Sequence, residues 1–165
     1  MRPQLRGLPS YPVEIETMHA KKIVFPTDFS TSSDAALEHA AGLARDMGGR
    51  LLIVHVEEPP LAYGGGEMYY GVPEPDRSAV EKMLAKVKPH TVEVGYEHHL
   101  LIGSPADVIV QFADEQGADL IVMGTHGRSG LRRMLMGSVA EAVVRRANCP
   151  VFTFKQPHGS AAAKA

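Results

Sequence analysis

The chain has 165 residues, of which 44% are hydrophobic and 22% charged, and this length and composition fit a single globular domain. Its formal net charge of -2 gives no general attraction to nucleic acid or to an anionic membrane, and its single cysteine excludes an internal disulfide or a multi-cysteine zinc site. Because no stretch resembles a secretion signal or approaches the roughly 18 apolar residues of a membrane helix, we expect a cytoplasmic protein.

The N-terminal residues carry three prolines and little periodicity, so we interpret residues 1–18 as a poorly ordered extension. Whether Met1 or Met18 is the true start stays open. The folded domain is expected over residues 19–156. Residues 157–165 are low in complexity, and we expect them to form a flexible tail.

Short apolar runs alternate with helical patterns through this domain. The runs are residues 23–25, 51–54, 120–123 and 151–154, and a partly alternating stretch covers 91–102. Helical spacing covers residues 36–47, 77–88 and 105–116 and resumes after Ser138. This order predicts an α/β fold with a single doubly wound sheet of five parallel strands and helices on both faces.

Three other features of the sequence are candidate sites. Adjacent residues of a strand point to opposite faces, so His98 and His99 are not expected to share a metal ion. His55, at a strand end, is interpreted as a hydrogen-bonded structural residue. The loop from Pro59 to Asp76 holds tyrosines and glycines, and its role stays open between a lid and a surface loop.

The stretch from Ala118 to Arg146 joins a buried strand, a glycine-rich loop and a helix. Glycines in the loop allow several backbone N–H groups to converge on one anion. Ser138 and Glu141 have the spacing of a capping box, which predicts the start of the helix at Ser138. A glycine loop between the carboxyl end of a strand and a helix N-terminus predicts a phosphate site.

The spacing excludes the two best-known phosphate loops. No Gly-Lys dipeptide occurs, which excludes a P-loop, and the first strand-to-helix turn, PTDFSTSSD, contains no glycine, which excludes the dinucleotide fingerprint. Asp28 in that turn lies where open α/β sheets bind ligands, but position alone favours a helix-capping role for Asp28 or Ser30.

Three separated motifs carry a family resemblance. They are G-x2-G-x9-G-S on Gly124, Gly127, Gly137 and Ser138, PTDFS on residues 26–30, and ANCPV on residues 147–151. With these motifs the chain resembles the ATP-binding branch of the universal stress protein family, from about Lys21 to Lys155. The resemblance implies the strand order 3-2-1-4-5 and a homodimer in which the last strand, Val151 to Phe154, pairs with its copy.

The resemblance also implies a site for ATP or AMP. Pro26, Thr27 and Asp28 would line the adenosine pocket, with Val56 as an adenine contact. The phosphates would contact Gly127, Arg128, Gly137, Ser138 and Val139. Met123, Gly124 and His126 complete the implied set, and Gly103 is included because it follows another strand on the same side. The role of His126 stays undecided, and Mg²⁺ stays open because no second carboxylate near Asp28 completes a metal site.

Three functions compete. The first is a nucleotide-binding stress sensor or regulator, the second a slow ATPase or self-phosphorylating enzyme, and the third an interaction dimer without nucleotide. The third function is weakened by the resemblance, because the branch of the family that does not bind ATP lacks the set Gly124, Gly127, Gly137 and Ser138. Because His126 is the only candidate base, we expect at most weak turnover.

Overall fold

A computed structural model describes residues 20–59, 77–90, 93–125 and 136–155. The elements in chain order are β1 (Lys22–Pro26), α1 (Thr31–Met47), β2 (Arg50–Glu57), α2 (Arg77–Leu84), β3 (Gly95–Ile102), α3 (Pro105–Gln116), β4 (Leu120–Gly124), α4 (Ser138–Arg146) and β5 (Val151–Phe154). Across these ranges, no helix combines the length and the apolar character needed to cross a membrane.

The five strands form one parallel sheet in the order β3-β2-β1-β4-β5, which confirms the predicted fold. β1 lies at the centre, where Ile23 pairs with Leu51 of β2 on one side and Leu120 of β4 on the other. The direction of winding reverses between β1 and β4. In an open α/β sheet such a reversal leaves a crevice at the carboxyl ends of the strands, where ligands bind.

Helices cover both faces of the sheet, as the predicted fold requires. Alternate side chains of β1 enter separate cores: Ile23 and Phe25 pack with α1 and with Leu84 of α2, whereas Val24 packs with α3 and α4. All three β1 side chains are fully buried, and burying such a side chain contributes about 1.5–3 kcal/mol. This two-sided burial fixes the strand whose end forms one wall of the crevice.

Two element boundaries differ from the predictions. α2 ends at Leu84, short of the predicted end near Lys88, because the amides of Lys86 and Val87 bond to carbonyls three residues earlier and tighten the chain. β3 begins at Gly95, later than the predicted start at residue 91; residues 91–92 lie outside the described residues.

His98 and His99 point to opposite faces of β3, as predicted. His98 Nε2 lies 2.7 Å from the carbonyl oxygen of Val87, on the α2 side. The ring of His99 lies on the other side, 4.8 Å from the ring of Phe112 in α3. The two imidazoles are therefore separated by the sheet and do not share a ligand.

Candidate functional site

The turn after β1 is organised by the side chain of Thr27. The Thr27 N–H donates to the carbonyl of Val54 at 2.8 Å, which extends the pairing with β2 by one residue. Its buried hydroxyl accepts from the Phe29 N–H at 3.1 Å and lies 3.1 Å from Ser33 Oγ. Because Ser33 Oγ donates to the Ser30 carbonyl, the Thr27 hydroxyl donates to Ser33. Thr27 thus ties the turn to the first turn of α1.

Asp28 and Ser30 cap α1. Ser30 is the N-cap, and its hydroxyl oxygen accepts from the Ser33 N–H at 3.3 Å. The N–H and the hydroxyl of Ser30 both donate to Asp28 Oδ1, at 3.1 and 2.6 Å. Ser30 therefore has the capping role that its place in the turn predicted, and Asp28 orients the Ser30 side chain. A carboxylate at a helix N-terminus is also favoured by the helix dipole.

Phe29 holds a strained backbone conformation between these residues. Its φ is +62°, in the left-handed region that costs a residue with a side chain about 1–2 kcal/mol. Its ring packs 4.2 Å from the ring of His55 on β2. His55 is buried and its Nδ1 lies 2.7 Å from the Thr27 carbonyl oxygen, which confirms the prediction of a hydrogen-bonded histidine.

The end of β4 lies against the first turn of α1. A Cβ atom on Gly124 would lie 2.9 Å from Ser32 Oγ, closer than real Cβ contacts allow, and 3.1 Å from the Ser32 carbonyl oxygen, so a larger residue would force Ser32 to shift. Glycine thus permits the close packing of β4 on α1. The contact brings Gly124, which ends the fourth strand, beside the PTDFS turn, and this is the adjacency that the strand order implied.

The N-terminus of α4 returns to the same place. The Gly137 N–H donates to the Thr125 carbonyl at 2.7 Å, so the segment after β4 begins and ends at the carboxyl end of that strand. Predicted contacts at His126, Gly127 and Arg128 fall within this segment and lie outside the described residues.

The capping box predicted at Ser138 is wrong. Gly137 is the N-cap of α4, with an extended backbone (φ −73°, ψ 156°), and its carbonyl accepts the first helical bond from the Glu141 N–H. The Glu141 carboxylate pairs with Arg145 at 3.0 Å, one turn further along the helix. Since glycine has no side chain, the cap residue places nothing over the amides of Ser138 and Val139, which point out of the helix N-terminus.

Val56, Gly103 and Met123 occupy the rest of this edge of the sheet. Val56 is half-buried on β2, and Met123 is buried in the core beneath β4. The Gly103 N–H donates to the Glu57 carbonyl at 2.9 Å, and its φ of +143° together with a virtual Cβ only 2.7 Å from Val108 Cγ2 requires glycine. Because the strands are parallel, all three residues lie on the side of the sheet that carries the crevice.

The described side chains around the crevice include few titratable groups with an altered pKa. Across the described ranges, no three His, Cys, Asp or Glu side chains are grouped to hold a metal ion. Burial raises the pKa of the Cys149 thiol, which disfavours the reactive thiolate and fits a packing role. What the crevice offers is a rigid turn on one wall and outward-pointing helix amides on the other.

For two of these features, sequence reasoning did not identify the partner residue. The Gly124–Ser32 contact and the His55–Thr27 bond each join residues from different elements, and only the position of Gly124 at a strand end signalled the first. A small residue at the end of a central strand is a general sign that another backbone approaches closely.

Comparison with known proteins adds an independent observation. The sequence model described as the universal stress protein family matches residues 19–155. A universal stress protein of Methanocaldococcus jannaschii is 40% identical over 141 residues, which cover 83% of this chain and 83% of that protein. A solved universal stress protein in complex with cAMP is 27% identical with a TM-score of 0.61, and the match covers 83% of this chain and 98% of the other.

A universal stress protein from Archaeoglobus fulgidus, solved in complex with dAMP, is 29% identical with a TM-score of 0.54. That match covers 82% of this chain and 98% of the other. Since the family model spans nearly all of the described region and the sheet order agrees with the order that the motifs implied, the chain belongs to the universal stress protein family.

Proposed function

We propose that the chain binds ATP or AMP in the crevice between β1 and β4 and acts as a nucleotide-dependent regulator of the stress response. The observation that carries the proposal is the N-terminus of α4: its cap is a glycine, and it is tied to the end of β4 by the Gly137–Thr125 bond. The two structural relatives solved with cAMP and dAMP support an adenine nucleotide as the ligand.

The phosphates would lie at this helix end. The outward amides of Ser138 and Val139 donate to phosphate oxygens, and the helix dipole favours negative charge there by about 0.3–1 kcal/mol. Gly137 has a φ of −73°, which any residue adopts, so its backbone does not require glycine. A bare Cα would instead serve the close approach of phosphate. Gly127 and Arg128 are proposed to complete this half of the site.

The nucleoside would lie against the turn from Pro26 to Asp28, with Val56 beside the base. This turn is fixed by the bonds of Thr27, Asp28 and Ser30 before any ligand arrives. A turn that is already ordered loses little conformational entropy on binding, which favours affinity. Met123, Gly124 and Gly103 support the floor and the far end of the crevice.

We further propose that two copies pair through β5. This strand ends the sheet, and within the described part of the chain no strand pairs with its outer edge. Phe152 is 37% exposed, and an open strand edge with an exposed aromatic side chain favours association. Pairing with a second β5 about a two-fold axis would cover both edges at once.

Thermal unfolding tests the proposed ligand. With ATP or AMP at about a hundred times its dissociation constant, binding stabilises the folded state by about 2.7 kcal/mol. For a chain of this size we expect Tm to rise by about 5–10 °C. Inorganic triphosphate at the same concentration is the control, because it offers the phosphates without the nucleoside. Unchanged Tm with both nucleotides would contradict the proposal, and an equal rise with triphosphate would reduce the site to a general anion site.

A further inference from the structure

We propose that His55 is the positioning residue of the nucleotide site: from β2 it holds the Thr27–Phe29 turn in the conformation that accepts the nucleoside. The inference rests on the proposed function and extends it to a residue outside the implied contact set. His55 is 8% exposed and makes two separate contacts with this turn. Each contact restrains a different residue.

The first contact fixes the backbone. His55 Nδ1 lies 2.7 Å from the Thr27 carbonyl oxygen, and because a carbonyl only accepts, Nδ1 carries the proton and donates. Thr27 is itself 5% exposed, so its carbonyl has little access to water. A buried carbonyl that loses its donor is costly, and the turn would move to satisfy it. The bond therefore selects one orientation of the peptide that precedes Asp28.

The second contact supports the strained residue. Phe29 has a φ of +62°, and its ring lies 4.2 Å from the His55 ring with 34° between the planes. A residue with a side chain stays in the left-handed region only where its surroundings hold it there. Ring packing on His55 supplies part of that hold, and the bond from the Phe29 N–H to Thr27 Oγ1 supplies another part.

Three consecutive residues of β2 connect the turn to the proposed position of the adenine base. The Val54 carbonyl accepts from the Thr27 N–H, His55 donates to the Thr27 carbonyl, and Val56 is the proposed adenine contact. Because these three residues share one rigid strand, the distance between the turn and the base is set by β2. His55 is the member that joins the strand to the turn through its side chain.

Two substitutions separate the contacts. His55→Phe keeps a ring beside Phe29 but removes the donor, whereas His55→Asn places an amide N–H near the position of Nδ1 and removes the ring. We expect His55→Phe to raise the Kd for ATP about tenfold, which is the effect of losing one buried hydrogen bond. His55→Asn should restore affinity to within about threefold of the wild type, since the donor to Thr27 is regained. Calorimetric titration measures both values.

His98→Phe is the matched control. His98 also places a ring nitrogen 2.7 Å from a backbone carbonyl, that of Val87, but it does so on β3 and away from the crevice. Its substitution should lower Tm through the lost bond and leave the Kd for ATP unchanged. This pattern separates a positioning role from a general effect on stability, because each histidine places a ring nitrogen 2.7 Å from a backbone carbonyl oxygen and only His55 contacts the turn.

Amide hydrogen exchange of the nucleotide-free protein gives a second readout. His55→Phe should accelerate exchange at Phe29 and Ser30, and His98→Phe should leave these amides unchanged. If His55→Phe does not fold, His55→Leu removes the same donor.

A wild-type Kd retained by the donor-less variant overturns the inference. If the wild type itself binds no nucleotide, the proposed function fails. In that case, amide exchange at Phe29 and Ser30 that is the same in His55→Phe and wild type would also overturn the ordering role of His55.

Discussion

His99 couples the stability of the fold to pH through a single side chain. Burial lowers the pKa of its imidazole from the ordinary value of 6.5. Glu97 favours the charged form, but Glu97 Oε2 lies 3.7 Å from His99 Nε2, beyond a hydrogen bond, while His98 and Arg50 oppose the charge. Since the pKa of His99 is lower in the folded chain than in the unfolded chain, the unfolded chain binds more protons as the pH falls through 6.5.

The expected result is a loss of stability in mild acid. The contribution of His99 is fully present above pH 6.5 and is lost as pH falls below that value. Urea unfolding of the wild type between pH 8 and pH 5 should therefore show a falling free energy of unfolding. His99→Phe should flatten this profile. His90→Gln, a change at an exposed histidine, is the control: introduced into both proteins, it should leave the difference between wild type and His99→Phe unchanged. Parallel profiles for wild type and His99→Phe would contradict this reading.

Among the elements, β5 carries the proposed contact between two copies of the chain. The carbonyls of Pro150 and Phe154 accept from β4, so alternate residues of β5 face β4 and Thr153 faces the open edge. Thr153→Pro removes an amide from that open edge and leaves the bonds to β4 in place. We expect the variant to sediment as a monomer at concentrations where the wild type is a dimer.

Tyr96→Pro is the control for this prediction. Gly103 donates to β2, so by the same alternation Tyr96 faces the outer edge of β3, at the other end of the sheet. This variant should remain dimeric. A Thr153→Pro dimer would remove β5 from the interface, and dissociation by Tyr96→Pro would move the interface to β3.

The start of α4 illustrates which local features can be read from a sequence. Ser138 and Glu141 have the spacing of a capping box, and the helix starts at Ser138 as predicted, but Gly137 is its cap and Ser138 is the first helical residue. The Gly137 N–H donates to the Thr125 carbonyl directly before the helix, and the spacing of Ser138 and Glu141 carries no sign of this tertiary contact. By contrast, the predicted start of α3 at residue 105 is confirmed: residue 105 is a proline, and a helix tolerates proline only in its first turn.

At the scale of the whole molecule, the order of the strands was predictable and the interior of the crevice was not. Apolar runs of three or four residues can be read directly from the sequence, and the motifs implied their order in the sheet. The positive φ of Phe29 and the His55–Thr27 bond depend on a contact between residues 28 positions apart. No local pattern records such a contact, so the positioning role of His55 became visible only in the folded chain.

The most direct test of the nucleotide site is native mass spectrometry of gently purified protein, wild type and Gly137→Val. Valine can adopt the φ of −73° at this position, and a glycine cap is worth at most about 1 kcal/mol more than an apolar one, so the variant should fold. Its side chain would keep phosphate away from the α4 amides. We expect the wild type to carry the mass of ATP or AMP and Gly137→Val to carry neither. A wild type that stays bare after addition of ATP, or a variant that retains the nucleotide, would contradict binding at this crevice.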